Sequence, residues 1–550
     1  AQMMGISEHF EFEVPQVVKN RLQNRVDHLY AAGSSTDDLW NGLWGLFRIF
    51  DSNNLDLLRL PSNPNAGNPI TTAERSKFDV ICPNDAPKRN FEVSAVLARD
   101  VLRGGTLVYN RRTVNGGPLH DPTAILYVRT SDLDSVTGKL LPGVPIEPLV
   151  LRARSGECIN LKLHNELADV MPDLPGFNTL PMIVENFNNN EIRPSSQAGL
   201  HAQLVAHDTS RHDGNNVGVN LIRTAAPGTT VAYQWYAGDI SPQPSGIVKV
   251  TPIEFGATNL MPADRIKQPS KGAIGTLIIE PASAVWTEDS SLATCGGDLQ
   301  PRCSRASATV NVEATGESYR EFALLFQDDV NLRFGSDTTL PTAPPEGQPV
   351  LSPTAVTLAS FAAGDAVPNT AQAEDPEDSG QKGFNYRTEP MWFRFGFAPN
   401  APLRFTRDLV ITKILTNGQV GGPPETPVFQ ATRLTPTRFR VVEPGGHSRN
   451  HIFQIHGHIW EQEPYVCSGQ ARNFVPGQCD ETDIPPQELG NNTLSMWEGA
   501  RMGQGPANHF DAMLKNGAGG AFGVTGQYLY RDHSSFQFDG GLWGLFKVVP

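Results

Sequence analysis

The sequence predicts an all-β protein built from sandwiches in tandem, and three observations predict it. Gly 51 and Pro 44 punctuate short apolar runs, the pattern of strands separated by turns rather than of helices. A Trp-bearing strand recurs, as NGLWGLFRIF at 41–50 and GGLWGLFKVV at 540–549, with GAIGTLIIE at 272–280 as a weaker version. Apolar residues alternate: Leu149, Leu151 and Ala153 precede the turn Ser155-Gly156-Glu157, and Ile159, Leu161 and Leu163 follow it, so each triplet lies on one face of a strand.

The three related strands mark three domain ends, because in each a glycine pair or single glycine leads into a buried run that then breaks. The second and third close units of sandwich size, at 70–285 and 300–550. The first has too few residues ahead of it for a sandwich of about 100 residues. The piece 1–60 therefore reads as the C-terminal remnant of a domain, completed by a missing N-terminal portion or by a partner chain.

Taken in order, the elements are these. NRLQNRVDHLYAA is the best candidate for a short helix, PLVLRARSGECINLKLHNEL reads as a β-hairpin, and RLTPTRFRVVEPGG is its counterpart in the last unit. The stretch 336–383, rich in Pro, Ala, Thr and acids, reads as a long loop. FQDD at 326–329 and EDPEDSG at 374–380 read as solvated acidic loops, and Trp40, Trp44, Trp460 and Trp543 as core aromatics.

Composition excludes several functions. A formal net charge of −14 argues against nucleic acid or an anionic membrane as partner, since both need a basic face. No apolar run reaches the roughly 18–20 residues of a membrane span. Six cysteines, none in C-x-x-C, invite local pairing as Cys82–Cys158, Cys295–Cys303 and Cys467–Cys479, one of several connectivities. Disulfides place the protein in the periplasm or outside the cell. The sequence contains no G-x-S-x-G, P-loop, H-E-x-x-H or G-x-G-x-x-G pattern.

The residues with metal chemistry lie in NHIFQIHGHIW, 450–460. Residues two apart on a strand share a face, so His456 and His458 read either as a chelating pair with His451 nearby, or as hydrogen-bonded core histidines. In HDTSRHDGNNVG, residues Asp208, Asp213 and Asn215 offer oxygens to Ca²⁺ or, more simply, to turns.

GISEHFEFEVP, LWNGLWGLFRIF, PLVLRA, HDGNNVG, YQWYAGD, FNYRTEP and DGGLWGLF resemble the large bacterial multicopper oxidases implicated in manganese oxidation, over most of the chain. The resemblance implies cupredoxin-like Greek-key β-sandwiches. It also implies a copper cluster held by four His-x-His pairs and a blue copper held by one Cys and two His, which together gather electrons for O₂.

Most of those ligands are replaced. The first pair falls on His201 and Gln203, and the second on Ala237 and Asp239. In the third, His451 matches a blue-copper ligand and His456 a cluster ligand, Gln454 takes the remaining cluster position, and His458 stands outside the ligand set. The fourth falls at or near Tyr530-Arg531-Asp532, with His533 beside it, and no cysteine follows Cys479.

Three expectations follow. The chain is the C-terminal part of a secreted oxidase-like protein whose copper sits elsewhere; or it is an extracellular assembly protein of degenerate cupredoxin domains, forming oligomers through its incomplete first unit. A third reading keeps a single copper at His451, His456, and His458 or His533.

Overall fold

The computed structural model describes chiefly residues 25–32, 42–50, 78–172, 193–291, 303–335, 380–395, 424–446, 451–466 and 488–550, with short gaps inside some of these runs. Most of the 336–383 stretch, Trp40, Cys295, Cys467 and Cys479 lie outside the described residues.

The first element pair is a hairpin of β1 (Arg25–Ala31) and β2 (Trp44–Phe50), antiparallel with Tyr30 opposite Gly45. The helix expected here is, where described, a strand. Its residues do not bury a helical stripe; they form a full ladder with the GLWGLF strand, and tertiary pairing overrides a weak local preference.

The first sandwich is formed by β3 (Lys88–Leu97), β4 (Ile125–Arg129), β5 (Leu149–Arg154), β6 (Cys158–Asn165), β7 (Leu200–Ala202), β8 (Thr230–Tyr236), β9 (Gly256–Pro262) and β10 (Gly275–Glu280). One sheet runs β8-β6-β3-β4 and the other β7-β9-β10-β5. β5 and β6 are therefore not a hairpin: Gly156, at φ +83°, turns the chain from one sheet to the other. The alternation nonetheless holds, because Leu149, Leu151 and Ala153 meet Ile159, Leu161 and Leu163 across one shared core. Each buried Leu or Ile of this set stabilises by about 1.5–3 kcal/mol relative to exposure.

β11 (Ala284–Glu288), β12 (Ser307–Val312), β13 (Glu317–Gln327), β14 (Val428–Thr432), β15 (Thr437–Val442), β16 (His451–Ile455), β17 (Ala500–Gln504), β18 (His509–Met513), β19 (Gly526–Asp532) and β20 (Trp543–Val549) build the second sandwich. Its sheets run β11-β12-β13-β15-β18 and β14-β20-β19-β16-β17 around a core rich in Phe322, Phe429, Phe439, Phe453 and Phe546. The two units repeat one plan. β3 pairs parallel with β6 as β13 does with β15, and β10 pairs parallel with β5 as β20 does with β14. The protein is all-β, with two sandwiches in tandem, as expected.

The two sandwiches meet through a third apolar cluster, which includes Val150 and Ile278 from one and Leu325 and Val442 from the other, and through buried charges. Arg152 of β5 bonds Glu321 of β13 at 2.9 Å, while Arg440 of β15 bonds Glu321, Glu280 and Asp511 at 2.8, 3.2 and 2.7 Å. Burial, and Glu321 beside it, push the Glu280 carboxyl up; Glu321 is held low against the same burial by Arg440 and Arg152.

Cys82 and Cys158 are bonded, as read from the sequence, and Cys303 is also in a disulfide. Trp460 and Trp543 are core residues, but Trp44 is 54% exposed, which corrects its assignment to a core. FQDD is no solvated loop: Asp328 and Asp329 are buried at the end of β13.

Candidate metal-binding clusters

The strand β16 ends at Ile455, and that decides the fate of the His-x-His pair. His451, Phe453 and Ile455 point into the core, whereas His456 and Gly457 form an exposed turn. His456 and His458 thus do not share a strand face. His458 is a core residue: its Nδ1 lies 3.1 Å from the His456 carbonyl, Gly519 N–H donates to its Nε2 at 3.0 Å, and its ring packs 4.6 Å from that of Tyr528. With both nitrogens engaged it has no lone pair for a metal. His533 is engaged with Arg531 and Gln454 instead, at 2.9 and 3.2 Å. The expected single copper site at His451, His456, and His458 or His533 is not assembled among the described residues.

His451 sits in a closed charge network. Its Nδ1 meets Asp532, its Nε2 lies 3.0 Å from Asp328 and 3.5 Å from Glu443, and all four side chains are buried. Lys382 Nζ adds a second cation, 3.4 Å from Asp328. Burial alone would lower the imidazole pKa, but Asp328, Glu443 and Asp532 hold it well above the usual histidine range. Burial pushes Glu443 up, and His451 opposes that only in part. The imidazolium occupies the centre that a cation would take. The residues of the implied blue-copper position therefore do not fit copper: no free thiolate lies among the described residues, and both ring nitrogens of His451 face carboxylates.

The other remnant lies on β7. Register makes this strand the counterpart of β16: His201 opposes Met261 next to the Leu260–Gly275 pair, and Gln454 opposes Arg531 next to Tyr530–Gly544. His201 therefore matches Gln454, and Gln203 matches His456, so at the two positions that the resemblance assigns to a pair each strand end presents one histidine and one glutamine. The Gln203 amide oxygen accepts from Asn259 at 2.9 Å, while Ala237 is buried and Asp239 bonds Ser241. The copper-cluster positions do not fit copper either.

A second cluster was not read from the sequence as a unit. His201 Nδ1 lies 2.7 Å from the Asp213 carbonyl and 3.3 Å from its carboxylate, and His207 Nε2 lies 3.6 Å from the same carboxylate oxygen. Burial would raise Asp213, yet His201 and His207 hold it well below the usual carboxylate range. Asp208 caps the short helix Thr209–His212 by accepting from Ser210 N–H, and Asp213 accepts from Asn215 N–H and Nδ2. These turn bonds correct the calcium reading at Asp208 and Asp213: the carboxylates serve separate turns, and Asn215 points its amide donors, not its oxygen, at Asp213. The hairpin docks alongside, with Asp27 accepting from Val219 N–H at 2.9 Å and Asn220 bridging the Asp27 backbone. This places His28, whose Nε2 is buried without a hydrogen bond among the described residues, within electrostatic range of Asp213 and His207.

No family model matches the chain, and no curated protein matches it. Among solved structures it is similar to a copper nitrite reductase from Nitrosomonas europaea at 11% identity and TM-score 0.36, covering 84% of this chain and 94% of that one. It is also similar to a multicopper oxidase at 12% and 0.37, covering 86% and 94%. A laccase from Botrytis aclada gives 13% and 0.36, covering 86% and 55%. At such identity and overlap, none of these activities transfers to the chain. No helix among the described residues is long and apolar enough to cross a membrane.

Proposed function

We propose that this chain is a scaffold related to the copper oxidases, working in the periplasm or outside the cell, whose two sandwiches support a neighbouring unit instead of carrying a copper centre. One observation carries the reading: at the blue-copper position, His451 is closed between Asp328 and Asp532 as a buried ion network. The replacements at Gln203, Gln454 and Arg531 agree with it. In this reading, copper-dependent oxidation of metal ions or small reductants by O₂, manganese included, belongs to whatever completes the first unit.

Metal analysis of the purified, undialysed protein with a visible spectrum tests this. Copper well below one equivalent and no blue absorption is expected. About four coppers with a blue band would overturn it.

A second reading, an extracellular assembly protein, is favoured by the hairpin. Tyr30, Trp44 and Phe47 are 63, 54 and 47% exposed, while their repeat counterparts Tyr530, Trp543 and Phe546 are fully buried. β20 pairs on one side with β14, whereas β2 has no such parallel partner among the described residues. A missing segment or a second chain would supply that strand and cover these rings. Sedimentation velocity over a concentration series tests self-association, and a monomer at every concentration counts against it.

A further inference from the structure

We propose that His201, His207 and Asp213 bind one divalent transition-metal ion, at a site that shares only His201 with the His-x-His pairs that the resemblance implies. One donor atom from each of the three residues lies within 4.8 Å of the others. A metal bound by imidazole nitrogen and carboxylate oxygen at about 2.0–2.2 Å holds its donors roughly 3–4 Å apart. The spacings of 3.3 Å from Asp213 Oδ1 to His201 Nδ1 and 3.6 Å to His207 Nε2 are already of that size, and binding at His201 Nδ1 moves the proton it donates to the Asp213 carbonyl, 2.7 Å away, to Nε2 of the same ring.

The surroundings orient the donors. The Nδ1–H of His207 donates to the Val205 carbonyl at 3.0 Å, which leaves the lone pair on Nε2, the nitrogen turned toward Asp213. Asn215 holds Asp213 Oδ2 through its backbone N–H at 3.2 Å and its Nδ2 at 2.9 Å, so Oδ1 is the oxygen left for a metal. Such support from outside the ligand set is what fixed metal sites require. The three side chains keep between 11 and 16% of their surface exposed, so an ion can enter from solvent without unfolding the sandwich. The buried His451 network has no such opening.

The donor set selects the ligand class. Two imidazoles and one carboxylate suit Zn²⁺, Co²⁺ or Fe²⁺ and disfavour Ca²⁺ and Mg²⁺, which take oxygen cages. The inference does not rest on the scaffold reading. A colourless protein with one zinc leaves that reading intact, and a four-copper protein overturns it without bearing on His207.

The test is titration of the EDTA-treated full chain with Co²⁺, followed by its visible d–d absorption, and with Zn²⁺ by calorimetry. One equivalent is expected. Asp213→Asn and His207→Ala should each weaken binding at least 100-fold, and Asn215→Ala, which touches no metal, by about 10-fold. His456→Ala and His533→Ala should leave the affinity unchanged. Circular dichroism identifies a variant that fails to fold, in which case Asn215→Ala carries the comparison. Absence of saturable binding to the native chain, or binding that survives both Asp213→Asn and His207→Ala, overturns the site.

Discussion

Arg152 and Glu321 meet at 2.9 Å with almost no exposed surface on either side chain, one on each sandwich, so the joint between the two units contains a buried ion pair. Removing Arg152 leaves the buried Glu321 and Glu280 to share Arg440 alone, and breaking a buried pair typically costs about 3–5 kcal/mol. Arg152→Ala should therefore lower stability by that order in urea denaturation. A loss under about 1 kcal/mol would show that the joint does not depend on this pair.

The His451 network makes stability depend on pH in a defined direction. The folded pKa of His451 is raised above the ordinary 6.5 and that of Glu443 above 4.5. Both groups therefore bind a proton more tightly in the folded state, and their contribution is complete below those ordinary values. It is lost as pH rises, from about 4.5 upward for Glu443 and from about 6.5 upward for His451, toward their raised folded values. The stability difference between the native chain and His451→Gln should accordingly shrink between pH 6.5 and 9. A difference constant over that range would contradict a charged His451.

His458 and His456 should behave oppositely despite their closeness in sequence. Replacing His458 by Ala removes the acceptor for Gly519 N–H and leaves a gap beside Tyr528, a loss of about 2–4 kcal/mol. His456 is exposed in a turn, and His456→Ala should stay within about 0.5 kcal/mol. Thermal denaturation of the two variants distinguishes this arrangement from a shared metal site, in which both would matter.

The repeated hairpins offer an internal comparison. A Cβ on Gly544 would come within 2.2 Å of the Tyr530 hydroxyl, and one on Gly45 within 2.3 Å of the Tyr30 hydroxyl. Tyr530 is locked in the core and bonds the Pro427 carbonyl, whereas Tyr30 is largely exposed and can turn away. Gly544→Ala should cost about 1–3 kcal/mol by overpacking, and Gly45→Ala much less. Equal losses would mean that Tyr30 is covered in solution by another chain or segment.

The sequence by itself determined the all-β class, the inward faces of β5 and β6 and the kinship of the GLWGLF strands, and it offered Cys82–Cys158 as one of several pairings. All of these are local patterns or residue identities, and alternation along a strand survives whatever the strand pairs with. Only the tertiary structure decided that β5 and β6 lie in opposite sheets, because the turn at Gly156 can close a hairpin or change sheets with the same residues. It alone ended β16 at Ile455, which moved His456 out of the strand. It also brought Asp328 onto His451 from 123 residues away, and carried His28 toward His207 and Asp213 on a docked hairpin. Such meetings depend on how two sheets and a hairpin pack. Packing joins residues whose separation along the chain carries no periodic signal.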